Sequence, residues 1–109
     1  MAYDEKLAHR VRAKLADQTD LRERKMFGGL AFMLRGNMCC GIVGEELMVR
    51  VGSGQYAAAL AQPHAREMDF TGRPMTGMVM VANDGLTSNE ALERWILQGI
   101  TFVSSLPSK

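Results

Sequence analysis

At 109 residues, with 47% hydrophobic and 23% charged residues and a formal net charge of +1, the chain has the make-up of one globular domain spanning residues 1–109, able to bury roughly 65% of its unfolded surface. So small a net charge supplies no field to draw in nucleic acid or an anionic membrane. No run approaches the roughly 18 apolar residues of a membrane span, and the first ten residues lack the apolar core of a signal peptide, so a cytoplasmic protein is expected.

Residues 3–17 carry Leu7, Val11 and Leu15 at four-residue spacing, which predicts an amphipathic helix. Lys6, Arg10 and Lys14 form a second, basic stripe on its flank. Three apolar runs follow, over 25–34, 37–43 and 46–51. Arg35-Gly36-Asn37 and Gly44-Glu45 break them apart, predicting an antiparallel meander. Ser53 is placed to cap a short helix over 55–61, which Pro63 stops. Two further strands are expected over 66–70 and 77–82, around the turn-rich Gly72-Arg73-Pro74. Thr87 and Glu90 have capping-box spacing. After them Leu92, Trp95, Ile96, Gly99, Val103 and Leu106 keep helical period up to Pro107. The order α-β-β-β-α-β-β-α predicts an α+β two-layer sandwich with a five-stranded antiparallel sheet.

The stretch Arg24-Lys25-Met26-Phe27-Gly28-Gly29-Leu30-Ala31-Phe32 holds a double glycine inside an apolar run. Phosphate-cradling glycine loops open a helix, whereas here more strand follows. Glycine inside a strand marks a bulge, a bend or a close backbone approach, so Gly28 or Gly29 is expected at a bend. Along this strand Met26, Leu30, Phe32 and Leu34 alternate with Phe27, Ala31 and Met33, so both faces are apolar. Met48 continues the pattern on a later strand. One helical layer covers one face. The other is covered either by loops or by a second copy of the chain; the homodimer is the expected outcome, with Met26, Leu30, Phe32 and Met48 at the interface.

Candidates for chemistry are few. Cys39 and Cys40 are neighbours whose side chains on a regular strand would point to opposite faces, so buried reduced thiols are expected and a disulfide is not. His9 and His64 have no metal-ligand spacing to them. Glu67 and Asp69 would share a strand face, most simply as charges guarding a sheet edge. No catalytic residue, metal site or cofactor is expected. The basic stripe Lys6, Arg10 and Lys14 offers phosphate contacts, without a wider basic field to support them.

The Met-Phe-Gly-Gly element (Lys25, Met26, Phe27, Gly28, Gly29), the later Asp69-Phe70 to Gly72-Arg73-Pro74-Met75, and the closing helix through Trp95 resemble the N-terminal domain of the TfoX (Sxy) competence regulators, over about residues 5–106. The resemblance implies a small α+β domain related in fold to secretion chaperones, with no catalytic residues to carry over. Full-length members of that family regulate DNA-uptake genes as coactivators with the cyclic-AMP receptor protein. They carry a second, C-terminal domain without a counterpart in these 109 residues, so a stand-alone domain is expected. The functional expectation is a non-enzymatic regulatory or protein-interaction module, with a protein partner in the transcription machinery and weak or absent direct nucleic-acid binding. The alternative is a small-molecule or nucleic-acid binding protein using the basic helix stripe and the Arg24/Lys25 edge.

Overall fold

The computed structural model describes residues 3–26, 28–68 and 76–107. Its first helix, α1 (Glu5–Leu15), starts where Asp4 is extended and its carboxylate accepts from the backbone N–H groups of Lys6 (2.8 Å) and Leu7 (3.4 Å). Leu7, Ala8, Val11 and Leu15 are its buried face. Six strands follow: β1 (Leu21–Met26), β2 (Gly29–Leu34), β3 (Asn37–Val43), β4 (Glu46–Arg50), β5 (Ala65–Glu67) and β6 (Met78–Val81). Helix α2 (Tyr56–Leu60) lies between β4 and β5, and α3 (Asn89–Ser104) closes the chain. The strands form one sheet in the order β1-β2-β3-β4-β6-β5, every neighbouring pair antiparallel. The α+β two-layer architecture is the expected one, with one more strand.

The extra strand corrects the reading of residues 25–34 as a single strand. Met26 pairs directly with Gly29, so the chain reverses there, with Gly28 at φ +72°. Residues 21–26 form an edge strand whose four central residues, Arg22 to Lys25, are all exposed. Such a strand has no apolar alternation to betray it, and its charges blunt the free edge. Glu23 ties it to α1 by accepting from Arg12 Nε (2.7 Å) and Nη2 (2.8 Å). That pair raises the pKa of Arg12 and lowers that of Glu23, each chiefly through the shared hydrogen bonds. At the next reversal Arg35 (φ 51°) and Gly36 (φ 83°) join Leu34 to Asn37, a two-residue turn with both φ positive that suits the twist of the hairpin.

Two capping expectations shift. Ser88, not Thr87, caps α3: Ser88 is extended and its hydroxyl accepts from Ala91 N–H at 3.0 Å, while Thr87 has helical dihedrals. Ser53 opens a 3-10 turn (Ser53–Gln55) ahead of α2, and its side chain caps nothing.

Helices α1 and α3 lie on one face of the sheet, over a core that includes Val11, Phe32, Ile42, Val49 and Trp95. Helix α3 comes unusually close to β3. A Cβ on Gly99 would stand 2.6 Å from the Cys39 carbonyl oxygen and 2.9 Å from its Sγ. Gly99→Ala therefore pits a gain of about 1 kcal/mol in helix propensity against an overpacking penalty of about 1–3 kcal/mol. Because backbone is among the atoms struck, packing should win. A lower urea midpoint is expected; a raised one would show that α3 can ride outward freely.

Opposite Gly99 the sheet is irregular. Phe32 pairs with Cys40 but Met33 with Met38, leaving Cys39 as an extra residue in a β-bulge. Cys39 and Cys40 consequently both enter the helix-side core, correcting the opposite-face expectation, while Met38 packs on the other side. Both thiols are free and buried. The hydrogen bond with Cys39 and burial push the Cys40 thiol up, so it stays protonated.

The second sheet face is a methionine layer. Met48, Met68, Met78 and Met80 are buried together, with Met38 and Val43 packed against them. No methionine among the described residues joins the helix-side core. Unbranched thioethers adapt to the uneven space over a twisted sheet. The expected dimer surface is corrected accordingly. Leu30 and Phe32 face the helices, Met48 is 1% exposed within the single chain, and Met26 on β1 is half-buried.

Candidate functional site

Helix α3 packs on β3 and β4, whereas α2 packs on β5 and β6. With only five residues, α2 cannot cover the flank of the 16-residue α3. Between them runs an open trough of about 640 Å³. Its apolar lining comes from Val51, Ala58, Leu97 and Phe102. Gln55 and Gln62 border it on the α2 side, and Gln98, Thr101 and Ser105 on α3. Leu97, 50% exposed, is the one large hydrophobic side chain left open among the described residues.

The backbone after β4 shapes this trough. Val51 and Gly52 both donate their N–H to the Gly77 carbonyl, at 2.8 and 3.0 Å, which draws the 51–52 segment against the start of β6. Gly52 sits at φ +85°, and a Cβ there would stand 2.5 Å from the Phe102 ring. Phe102 therefore rests on bare backbone, and only glycine satisfies both demands. Across the ring lies the Arg50 guanidinium, 5.2 Å from the centroid, a cation–π contact. Among the described residues Arg94 is the only charged one in the lining, and no hydrogen bond or ion pair joins it to another of them. The site is thus apolar along its length, edged by amides and hydroxyls, and positive. Near the start of α2, the Tyr56 hydroxyl is buried without a partner among the described residues. Burial, then the charge of Glu67, raises its pKa, so the phenol stays protonated.

Nothing in the sequence pattern alone marks this trough as a site. The available signal is on α3, where Leu97 and Phe102 lie off the stripe Leu92, Trp95, Ile96, Gly99 and Val103 that meets the sheet. The residues that the sequence does single out are scattered. On α1, Arg10 donates to Asn89 Oδ1 at 3.5 Å and Lys14 Nζ lies 3.9 Å from Glu93 Oε2, so two of the three basic residues lean on α3. Lys6 is exposed. Arg24 and Lys25, both exposed, are adjacent on β1 and so alternate between its two faces, which splits the expected basic edge. Gly28 and Gly29 serve the β1–β2 reversal. Phe27, Asp69, Gly72, Arg73 and Pro74 lie outside the described residues. Glu67 is exposed on edge strand β5, and His9 and His64 are exposed. Among the described residues no group of three or more His, Cys, Asp or Glu could hold a metal ion. No helix among them is long and apolar enough to cross a membrane.

Fold and site together define a small α+β domain with an open, apolar, positively edged trough between two helices. The family model of the TfoX N-terminal domain matches residues 13–103. The chain belongs to that family. No curated protein and no solved structure matches it.

Proposed function

We propose that the protein is a non-enzymatic protein-interaction module working in a regulatory setting, that of competence and DNA uptake, with its contact surface in the α2–α3 trough. The observation that carries this reading is Leu97: a large aliphatic side chain, half exposed, in a trough whose other walls include Phe102 and Val51. An apolar hollow edged by amides and hydroxyls has the layout of an interface core within a polar rim. Family membership supports the regulatory setting. The partner belongs to the transcription machinery, RNA polymerase or a receptor protein acting with it, and the protein is cytoplasmic.

Direct DNA reading is not part of this function. Two members of the α1 basic stripe already have partners on α3, and Arg24 and Lys25 diverge across β1. At near-physiological salt, gel shifts should show no sequence-specific complex in the range of about 10⁻⁸ M or tighter that specific DNA sites reach. A nanomolar, sequence-dependent shift would overturn the reading. The positive arm is retention of purified RNA polymerase, with and without the cyclic-AMP receptor protein, on the immobilised chain. Retention should occur with the unaltered chain and be lost with Leu97→Asp.

A further inference from the structure

We propose that the α2–α3 trough takes an amphipathic helix of the partner protein, one whose apolar stripe is flanked by carboxylates, with a carboxylate set on Arg94. This deepens the interaction-module reading and rests on it.

Length argues for a helix. On α3 the wall runs from Arg94 through Leu97, Thr101 and Phe102 to Ser105, residues spaced by three, four, one and three. They therefore keep to one side of the helix and span about 16 Å, or three turns. The facing wall is shorter: of Gln55, Ala58 and Gln62, only Ala58 lies within α2, with Gln55 in the preceding 3-10 turn and Gln62 past the end of the helix. A three-turn helical wall with a hollow beside it accepts another helix through anchors at i, i+3 or i+4, and i+7. Leu97, Phe102, Val51 and Ala58 would meet those anchors, and the three glutamines can donate to or accept from polar groups beside them.

Charge selects the helix. No carboxylate lines the trough among the described residues. Arg94 has no ion-pair partner among the described residues, and Arg50 adds a second guanidinium at the Phe102 end. An acidic flank gains charge-assisted hydrogen bonds from such groups, and a basic flank is repelled.

A second copy of this chain is the poorer occupant. The basic flank of α1 holds exposed Lys6, with Arg10 and Lys14 half-buried beside α3, which is the wrong sign. A stable pair also needs about 800 Å² per partner, and the described residues leave only Leu97 open among large hydrophobics. A small molecule is poorer too, since ligand pockets enclose most of their guest, while Gln55, Ala58, Arg94, Leu97, Thr101 and Ser105 are all exposed.

The test uses two fluorescent probe peptides of about 14 residues, enough for three to four turns, with one shared leucine stripe and either glutamate or lysine flanks. Anisotropy titration against the full chain should give a micromolar Kd for the glutamate peptide and at least about tenfold weaker binding for the lysine peptide, a gap of about 1.4 kcal/mol. Arg94→Glu should reverse the order. Leu97→Asp should abolish binding of both, with an unchanged circular-dichroism melt, because Leu97 is at the surface. Equal affinity for the two peptides, or binding indifferent to Leu97→Asp, overturns the proposal. If polymerase retention persists while the peptides fail, this inference falls and the interaction-module reading stands; if both fail, both fall.

Discussion

Gly29→Ala should abolish the native fold or come close to it, while Gly28→Ala, one residue away, should be far milder. A Cβ on Gly29 would lie 2.0 Å from the Ile42 carbonyl oxygen and 3.0 Å from its carbon. Those are backbone atoms of the neighbouring strand, with no rotamer to swing away. Relief requires β2 and β3 to part beside the Leu30–Ile42 pairing, in the interior of a six-stranded sheet. Overpacking usually costs about 1–3 kcal/mol and occasionally more. With main chain as the obstacle, the top of that range or beyond is expected, a large part of the roughly 5–15 kcal/mol that holds a domain. Gly28 presents the other situation. Nothing lies within 4 Å of its Cβ position, and only its φ of +72° resists a side chain. The left-handed conformation costs about 1–2 kcal/mol in alanine, and asparagine tolerates it better. Urea midpoints should therefore run wild type, Gly28→Asn, Gly28→Ala, and last Gly29→Ala, if the last folds at all. Gly28→Ala as the more damaging change would refute this division of labour between the two glycines.

Phe32→Ala should cost about 3–5 kcal/mol, the range for emptying a buried aromatic site. Phe32 is 0% exposed, heads the largest fully buried side chains, and lies on β2 within the core under the helices. Its pairing with Cys40 sits at the bulge that turns both thiols toward α3, so a void there also loosens the floor under Gly99. The thermal midpoint should fall by well over ten degrees, given about 4–8 °C per kcal/mol for a chain near 100 residues. The same placement decides how a charge at Leu30 or Phe32 will act. Leu30→Asp should yield unfolded or aggregated protein, because the carboxylate would be buried without a partner. A well-folded monomer of Leu30→Asp, or an unmoved midpoint for Phe32→Ala, would mean that β2 turns these side chains away from the helices.

Several elements are legible in the amino-acid sequence because their signals are local. The stripe Leu7, Val11 and Leu15 marks α1, and Leu92, Trp95, Ile96, Gly99 and Val103 mark α3; those residues are the buried faces of the two helices. Arg35-Gly36 reads as a strand break, and there the chain turns with two positive φ values. Strands β3, β4 and β6 lie where the apolar runs predict them, within a residue or so at each end. The resemblance in the Met-Phe-Gly-Gly element points to the family that residues 13–103 match.

What the sequence hides depends on atoms distant in the chain. Strand β1 is polar at every central position and exists through its ladder to β2 and the Arg12–Glu23 pair, neither of which leaves a period in the sequence. The bulge at Cys39 is a mismatch between two strands, so neither strand alone announces it. Both sheet faces read as equally apolar, and only packing assigns leucine, phenylalanine and most of the valines to the helices and methionine, with Val43, to the other side. The trough is the clearest case. In the sequence Leu97 is one more leucine in an amphipathic helix. It is left open because α2 has five residues and sits over β5 and β6, and because Gly52 lets Phe102 lie flat against the main chain. Helical period records which way a side chain points, but whether anything stands opposite is decided by the lengths and positions of other elements.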